Sequence, residues 1–371
     1  MPPAQGRRGS RLTALAAAAL LLPLLAACAP QTTAGRAPLG VSVPAGPGAA
    51  LTPVRFDQLP GWATERPAEA IPPFLAGCAR LDAAAHPRLP ALCTAARALP
   101  PGDDAAARAF FEQGFQPHLA SADGAAQGLV TGYYEPEFRA SRSRGGEYQT
   151  PLLRRPRGHV AGQMLPPRAQ INRGALARRG LELLWVADPV DAFFLHIQGS
   201  GRARLPDGTV ARVGYDGKNE QPYVPIGRVL VDRGEMKLDQ VSMQSIRAWL
   251  KAHPGEAEAV MDQNPSFVFF REVDGLAPDQ GPPGTQGVPL TPARSVAVDR
   301  SHIPLGTPLW MDSNDPLAPA TPLRRLMMAQ DTGGAIRGPT RADVFFGWGA
   351  EAEERAGRMR QPGSLYVLLP R

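Results

Sequence analysis

The chain reads as mainly β with helices near its N-terminus, and three observations predict this class. Residues 65–118 carry helix-type patterning. From about residue 128 the texture changes to short apolar runs punctuated by Gly and Pro. The part beyond residue 52, in a chain that is 43% hydrophobic and 20% charged, is long enough to bury a sizeable core as one composite domain or two.

The first segment is expected to be removed or anchored rather than folded. Arg7, Arg8 and Arg11 precede an apolar run over residues 12–25, too short to span a bilayer comfortably, and a small-residue region follows. That is the pattern of a secretory signal over residues 1–27. Leu25-Ala26-Ala27-Cys28 resembles a bacterial lipobox, in which Cys28 becomes the lipidated N-terminus, and Ala29 in place of Asp favours the outer membrane, with the protein facing the periplasm. Residues 28–51 are rich in Pro, Ala and Gly with almost no charge, which predicts a flexible tether. The formal charge of +6 loses the three signal arginines on processing, leaving the mature chain near +3. This mild balance would suit an anionic polymer and excludes the dense basic stripe of a nucleic-acid binder. Cys78 and Cys93 form an even pair. In an oxidising compartment they read as a disulfide contributing roughly 3 kcal/mol, the other reading being two buried thiols.

The folded part follows in order. Asp103 and Asp104 cap a short amphipathic helix. Residues 129–134 form a β-type run. Residues 191–198 alternate, with Phe194, His196 and Gln198 on one face and Phe193, Leu195 and Ile197 on the other, which predicts a strand. Pro206-Asp207-Gly208 marks a hairpin between residues 202–205 and 209–215. A helix over residues 242–253 carries Met243, Ile246 and Leu250 on its apolar stripe and stops at Pro254. Residues 267–270 and five later runs (294–298, 308–311, 326–329, 342–346 and 365–369) read as strands, with a Gly/Pro-rich loop over 275–289. Trp185, Trp249 and Trp310 are expected in the core.

The chemistry is narrowed by what is missing. There is no metal-binding His spacing, no Gly-x-Ser-x-Gly elbow and no phosphate loop, so nothing calls for a metal or another cofactor. Carboxylates remain. Asp299, Asp331 and Asp343 form a cluster near the C-terminus, in Val298-Asp299-Arg300-Ser301, Gln330-Asp331-Thr332-Gly333-Gly334 and Arg341-Ala342-Asp343-Val344-Phe345-Phe346.

These three segments resemble the 3D domain, named for its three aspartates. Upstream, Gly132-Tyr133-Tyr134-Glu135-Pro136, His196-Ile197-Gln198-Gly199-Ser200-Gly201, Gly214-Tyr215-Asp216-Gly217-Lys218-Asn219, residues 226–234 and residues 264–270 resemble the membrane-bound lytic murein transglycosylase A family. The resemblance covers roughly residues 125–370. It implies a double-psi β-barrel core with a second, β-barrel-like domain inserted, and a glycan groove between them. The N-terminal helical part would occupy residues 52–125, the transglycosylase A-type domain 126–270 and the 3D domain 271–371. It implies a lyase of peptidoglycan glycan strands active in cell-wall turnover, with room for partners in a cell-wall machine. The third aspartate, Asp343, would be the catalytic acid and then base. The loop before it is one residue longer than in the best-known member, and Arg337 stands where the family has Lys.

On this reading Asp343 must hold a proton near neutral pH. Val344, Phe345, Phe346 and Trp348, or a second charge at Asp331, would raise its pKa. Asp331 is either a support to catalysis or a structural acceptor for the Gly333-Gly334 turn; Asp299 reads as structural. Tyr133, Tyr134, Gln198, Tyr215, Lys218 and Asn219 are the expected sugar-binding residues, with core packing the alternative for the aromatics. His196 reads as a satisfied strand histidine. Two other functions stay open: a hydrolase on the same barrel, and a non-catalytic peptidoglycan-binding lipoprotein.

Overall fold

The structure is a computed structural model that describes residues 43–44, 48–81 and 87–371. The expected signal and Cys28 lie outside the described residues, as does most of the tether. In chain order the elements are β1 (Val43–Pro44), β2 (Ala49–Pro53), α1 (Ile71–Cys78), α2 (Leu89–Arg97), α3 (Asp104–Gly114), β3 (Phe115–Ala122) and β4 (Gln127–Glu135). Then come β5 (Glu137–Ser141), β6 (Thr150–Leu153), α4 (Arg168–Asn172), β7 (Glu182–Val186), α5 (Pro189–Gln198), β8 (Ser200–Arg204) and β9 (Val210–Lys218). After these follow α6 (Ile226–Asp232), α7 (Met243–Ala252), α8 (Pro254–Met261) and β10 (Val268–Glu272). The last stretch holds β11 (Ser295–Val298), β12 (Pro308–Asn314), β13 (Pro322–Asp331), β14 (Ala342–Trp348), α9 (Gly349–Arg358) and β15 (Arg360–Pro370).

The protein is mainly β and contains two sheets. Nine strands pair in the order β1-β2-β3-β15-β12-β13-β11-β14-β4, and β4 pairs back onto β15, so the last six strands of that order close into a ring. Closure is possible because β15 is long: its first residues, from Arg360 to Ser364, pair with β4, and its later ones with β12 and β3. The ring is filled by alternate residues of its strands, among them Val130, Val296, Val298, Leu309, Met311, Met327, Val344, Leu365 and Val367. The second sheet, β10-β9-β8-β5-β7-β6, is built from the chain between β4 and β11. Its core of Phe138, Leu152, Leu184, Val213 and Phe270 is closed by Ala192 and Leu195 of α5.

The N-terminal helices pack outside the ring. Phe74, Phe110, Phe111 and Phe115 form edge-on aromatic contacts and, with Trp62, surround the fully buried Trp310 of β12. Asp103 caps α3 by accepting from the Ala106 N–H at 2.9 Å. A disulfide joins Cys78 to Cys93 and ties α1 to α2.

Some of these expectations need correction. Residues 191–198 are helical, in α5. Asp188 caps it, Pro189 takes the first turn and Gly199 ends it in the left-handed region, at φ +80°. Six of its residues on all sides are buried, so period-two alternation there carried no information about a sheet face. Residues 49–51 are strand rather than tether, because Leu51 enters the barrel core and β2 pairs with β3. The helical patterning stops at Gly114, since Phe115 onward forms β3 in the large sheet. Pro254 ends α7 as expected but also opens α8 at its first turn, where a missing N–H costs nothing. The 206–208 hairpin is present, with Gly208 at φ +84° and Asp207 accepting from the Thr209 N–H at 2.9 Å. Trp249 and Trp310 are buried; Trp185 is half-buried beneath the Arg144 guanidinium.

Candidate active site

Strand register assembles the site. Asp343 on β14 sits opposite Thr131 on the parallel strand β4 and opposite Ala297 on β11, and Ala297 pairs in turn with Asp331 on β13. Thr131, Asp343, Ala297 and Asp331 thus form one row across four strands. The row lies on the outer face of the ring, because Val130, Val344 and Val296 beside it point inward. Ala297, between the two carboxylates, is buried, and the Tyr133 side chain crosses this face to reach Asp331.

Asp343 is half-buried and its Oδ1 accepts from the Thr131 hydroxyl at 2.6 Å. Arg341, two residues before Asp343 and so on the same strand face, donates to the Thr131 Oγ at 2.8 Å. A guanidinium has only donors, so the Thr131 oxygen must accept from Arg341 and its own proton is aimed at Asp343. Arg341 is itself anchored to the carbonyls of Leu129 and Ala342. Burial is the main influence on the Asp343 carboxyl and raises it from 3.8 to about 6; the Asp331 charge adds to the rise, while the Thr131 hydrogen bond and Arg341 oppose it.

Asp331 is held by four donors, three of them on one oxygen. Its Oδ1 accepts from the Thr285 N–H at 2.9 Å, the Thr285 hydroxyl at 2.8 Å and the Thr332 N–H at 2.9 Å, and its Oδ2 accepts from the Tyr133 hydroxyl at 2.8 Å. Its partners come from its own strand end, the 275–289 loop and β4, rather than from the Gly333-Gly334 turn. The Tyr133 ring rests on Phe345 with centroids 5.3 Å apart, and its hydroxyl is pushed well up by burial and by the Asp331 charge. Asp299 makes contacts of a structural kind. It is buried, accepts from Ser301 N–H and hydroxyl and from the Gly338 N–H, and so ties the strand end to the loop before β14. Burial would raise its carboxyl, but these hydrogen bonds outweigh it and hold it down at about 2.

The same face of β4 carries Glu135, four residues beyond Thr131, into contact with the second sheet. Glu135 is fully buried and accepts from Arg202 Nε of β8 and from Arg212 Nε and Nη2 of β9, each at 2.9 Å. The two arginines also hold the carbonyls of Pro278 and Gln280 in the loop that brings Thr285 to Asp331. Arg202 stacks over Trp348, at the end of the strand that bears Asp343, with its guanidinium 4.0 Å from the ring centre. One buried ion cluster therefore fixes β4, β14, the loop and the second sheet together.

The expected sugar-binding residues divide. Tyr133 joins the aspartate cluster. Gln198 is half-buried at the end of α5 and accepts from the Tyr134 N–H at 3.2 Å; Tyr215, exposed on β9, lies against the adjoining Gly199. Lys218 is half-buried, 3.9 Å from Glu220. Two residues are turned inward. Tyr134 is buried against Ala352 and Ala356 of α9, because the residue after Tyr133 must face the other side of the strand. Asn219 is fully buried and spends its amide on the carbonyls of Pro166 and Pro265 and on the Phe267 N–H. His196 is a satisfied buried histidine, on a helix rather than a strand, accepting from the Val268 N–H between two phenylalanine rings. Sequence reading missed Thr131, Arg341 and the Glu135 cluster. Arg341 was within reach, since it stands at i−2 from Asp343 on a strand; the other contacts depend on register. Among the described residues no group of three or more His, Cys, Asp or Glu side chains is placed to hold a metal ion.

Family models match this layout. The MltA specific insert domain matches residues 129–271, and the 3D domain matches residues 294–369, which contain all three aspartates. Membrane-bound lytic murein transglycosylase A of Escherichia coli (strain K12) is 40% identical over 259 residues, 67% of this chain and 68% of that protein. The chain belongs to the membrane-bound lytic murein transglycosylase A family. Among solved structures, lytic transglycosylase LtgG of Burkholderia pseudomallei is 50% identical, covering 86% of this chain and 95% of that one with a TM-score of 0.61. E. coli MltA with bound chitohexaose is 36% identical, covering 76% of this chain and 82% of that one with a TM-score of 0.65.

Proposed function

We propose that this chain is a peptidoglycan lytic transglycosylase that cuts the MurNAc-β-1,4-GlcNAc bond without water, with Asp343 as acid and then base. The observation that carries the reading is the contrast between two neighbouring carboxylates. Asp343, raised to about 6, can hold a proton and has one oxygen free of the Thr131 bond. Asp331 has four donors on its two oxygens, which hold it in place and make it a poor base for water. A hydrolytic pair needs a second carboxylate at liberty to activate water or attack the sugar.

In the proposed reaction Asp343 gives its proton to the glycosidic oxygen, and the bond from C1 of MurNAc to that oxygen breaks. Positive charge develops at C1 and the ring oxygen. The Asp343 carboxylate then takes the proton of the same sugar's C6 hydroxyl as that oxygen bonds to C1. The products are a 1,6-anhydroMurNAc end and a free GlcNAc hydroxyl, and Asp343 regains its proton. An attached nucleophile can act at an effective concentration on the order of 10⁵ M or more, which lessens the need for a second base.

The ring of six strands is read as a double-psi barrel; the transglycosylase A-type domain, about residues 126–270, includes the inserted second domain, and residues 271–371 complete the barrel. The glycan is placed in the groove beside the Asp343 row, with Tyr133, Gln198 and Tyr215 as its contacts. The chitohexaose bound to the E. coli relative supports a glycan ligand. Anchoring through Cys28 in the outer membrane, facing the periplasm, agrees with the membrane-bound name of the relatives. The test is mass spectrometry of sacculi digested by the protein and by Asp343→Asn. Fragments lighter by one water than hydrolysis products, absent with the variant, are expected. Reducing-end fragments would mean a hydrolase, and anhydro fragments from the variant would remove Asp343 from its role.

A further inference from the structure

A cavity of about 630 Å³ lies where the segment leading into α7 faces the start of β15. Its barrel side is formed by Arg358 and Arg360, its far side by Leu238, Asp239, Gln244 and Ala248, among others. Arg360 is the register partner of Thr131, which is itself the register partner of Asp343. Directly opposed residues project from the same face of a sheet, so Arg360 extends the catalytic row by one strand, about 10 Å from the Asp343 backbone.

The lining has a definite chemistry. Arg360 is exposed, and among the described residues no carboxylate pairs with it; Arg358 is shared with Glu354 at 2.8 Å on the surface. Asp239 at the rim leaves the lining net positive. Leu238 is 56% exposed and offers, with Ala248, a small apolar wall. The Gln244 amide is turned against α9, where it donates to the Glu353 carbonyl at 3.2 Å. Guanidinium forks suit carboxylates, and the wall suits short aliphatic side chains.

We propose that this cavity binds the acidic peptide carried on the glycan, with Arg360 as its main carboxylate ligand. The proposal rests on the reading of the chain as a glycan-cleaving enzyme. The peptide is attached to the same sugar whose C1 is released, so it leaves the strand within one ring of the Asp343 carboxyl. Arg360 is thereby a specificity residue that favours peptide-bearing strands over bare ones.

The test separates binding from cleavage. Full-length Asp343→Asn protein is titrated with a soluble disaccharide-peptide and with the same disaccharide lacking its peptide. The peptide form is expected to bind at least tenfold tighter, with Arg360→Gln abolishing that advantage and Arg360→Lys keeping part of it. In parallel, kcat/KM of Arg360→Gln should fall about tenfold on peptide-bearing strands and much less on strands stripped by an amidase. Equal binding of the two ligands, no binding of either, or an advantage that survives Arg360→Gln overturns the proposal. Arg360-dependent binding by a protein that cleaves nothing would keep the site and overturn the enzymatic reading instead.

Discussion

Asp343 is kept where ionising it is costly, and that cost has a sign. Its carboxyl is raised from 3.8 to about 6 in the folded protein. Below about pH 4 both folded and unfolded chains hold the proton, and the group costs nothing. Between about pH 4 and 6 the unfolded chain ionises first, and up to roughly 3 kcal/mol of stability is lost by the time the folded carboxyl follows. Asp343→Asn should therefore raise Tm above pH 7 by several degrees while leaving it nearly unchanged near pH 4, and should lower activity by a factor of about 10² to 10⁴. Calorimetry beside a sacculus assay checks both halves. The neighbouring charge can be tested through the pH profile. Since Asp331 raises the Asp343 carboxyl, Asp331→Asn should move the alkaline limb of kcat/KM toward acid. An unmoved limb would leave Asp331 as a clamp on Thr285 and Tyr133 only.

At the scale of elements, the decisive packing is α9 against β4. A Cβ at Gly132 would lie 2.5 Å from the Phe346 ring and 3.0 Å from the Ala356 backbone, so Gly132→Ala must push the helix or the strand aside. A loss of about 1–3 kcal/mol is expected by urea unfolding, with activity falling because Thr131 and Tyr133 flank the position. Asp103→Ala, which removes the cap of α3 far from Asp343, should cost about 1 kcal/mol and leave activity alone. These elements were unequally legible. The α3 cap, the 206–208 hairpin and the last five strands are written locally, in turn residues and in periodicity. Helix α5 was misread because it is buried on several sides, and an apolar run packed that way shows no preferred period; its Asp188-Pro189 start and Gly199 end were the better signal. The aspartates could be named from motif resemblance. Their partners could not, because Thr131 is 212 residues from Asp343 and only strand register brings them together.

For the molecule as a whole, the Glu135 cluster is the joint that makes two sheets act together. Glu135→Gln would leave Arg202 and Arg212 buried without their counter-charge, an expected loss of a few kcal/mol. Hydrogen exchange should rise in residues 276–286 and in β8 and β9, with β12 and β13 still protected; uniform protection would mean that the cluster is only a local fastening. The ring itself has a consequence in time. Strand β4 precedes both of its neighbours, β14 and β15, by more than 200 residues. A chain still being synthesised has no socket for Thr131 and nothing to oppose it. The pairing of Thr131 with Asp343 therefore waits until β14 and β15 have been made and seated beside β4.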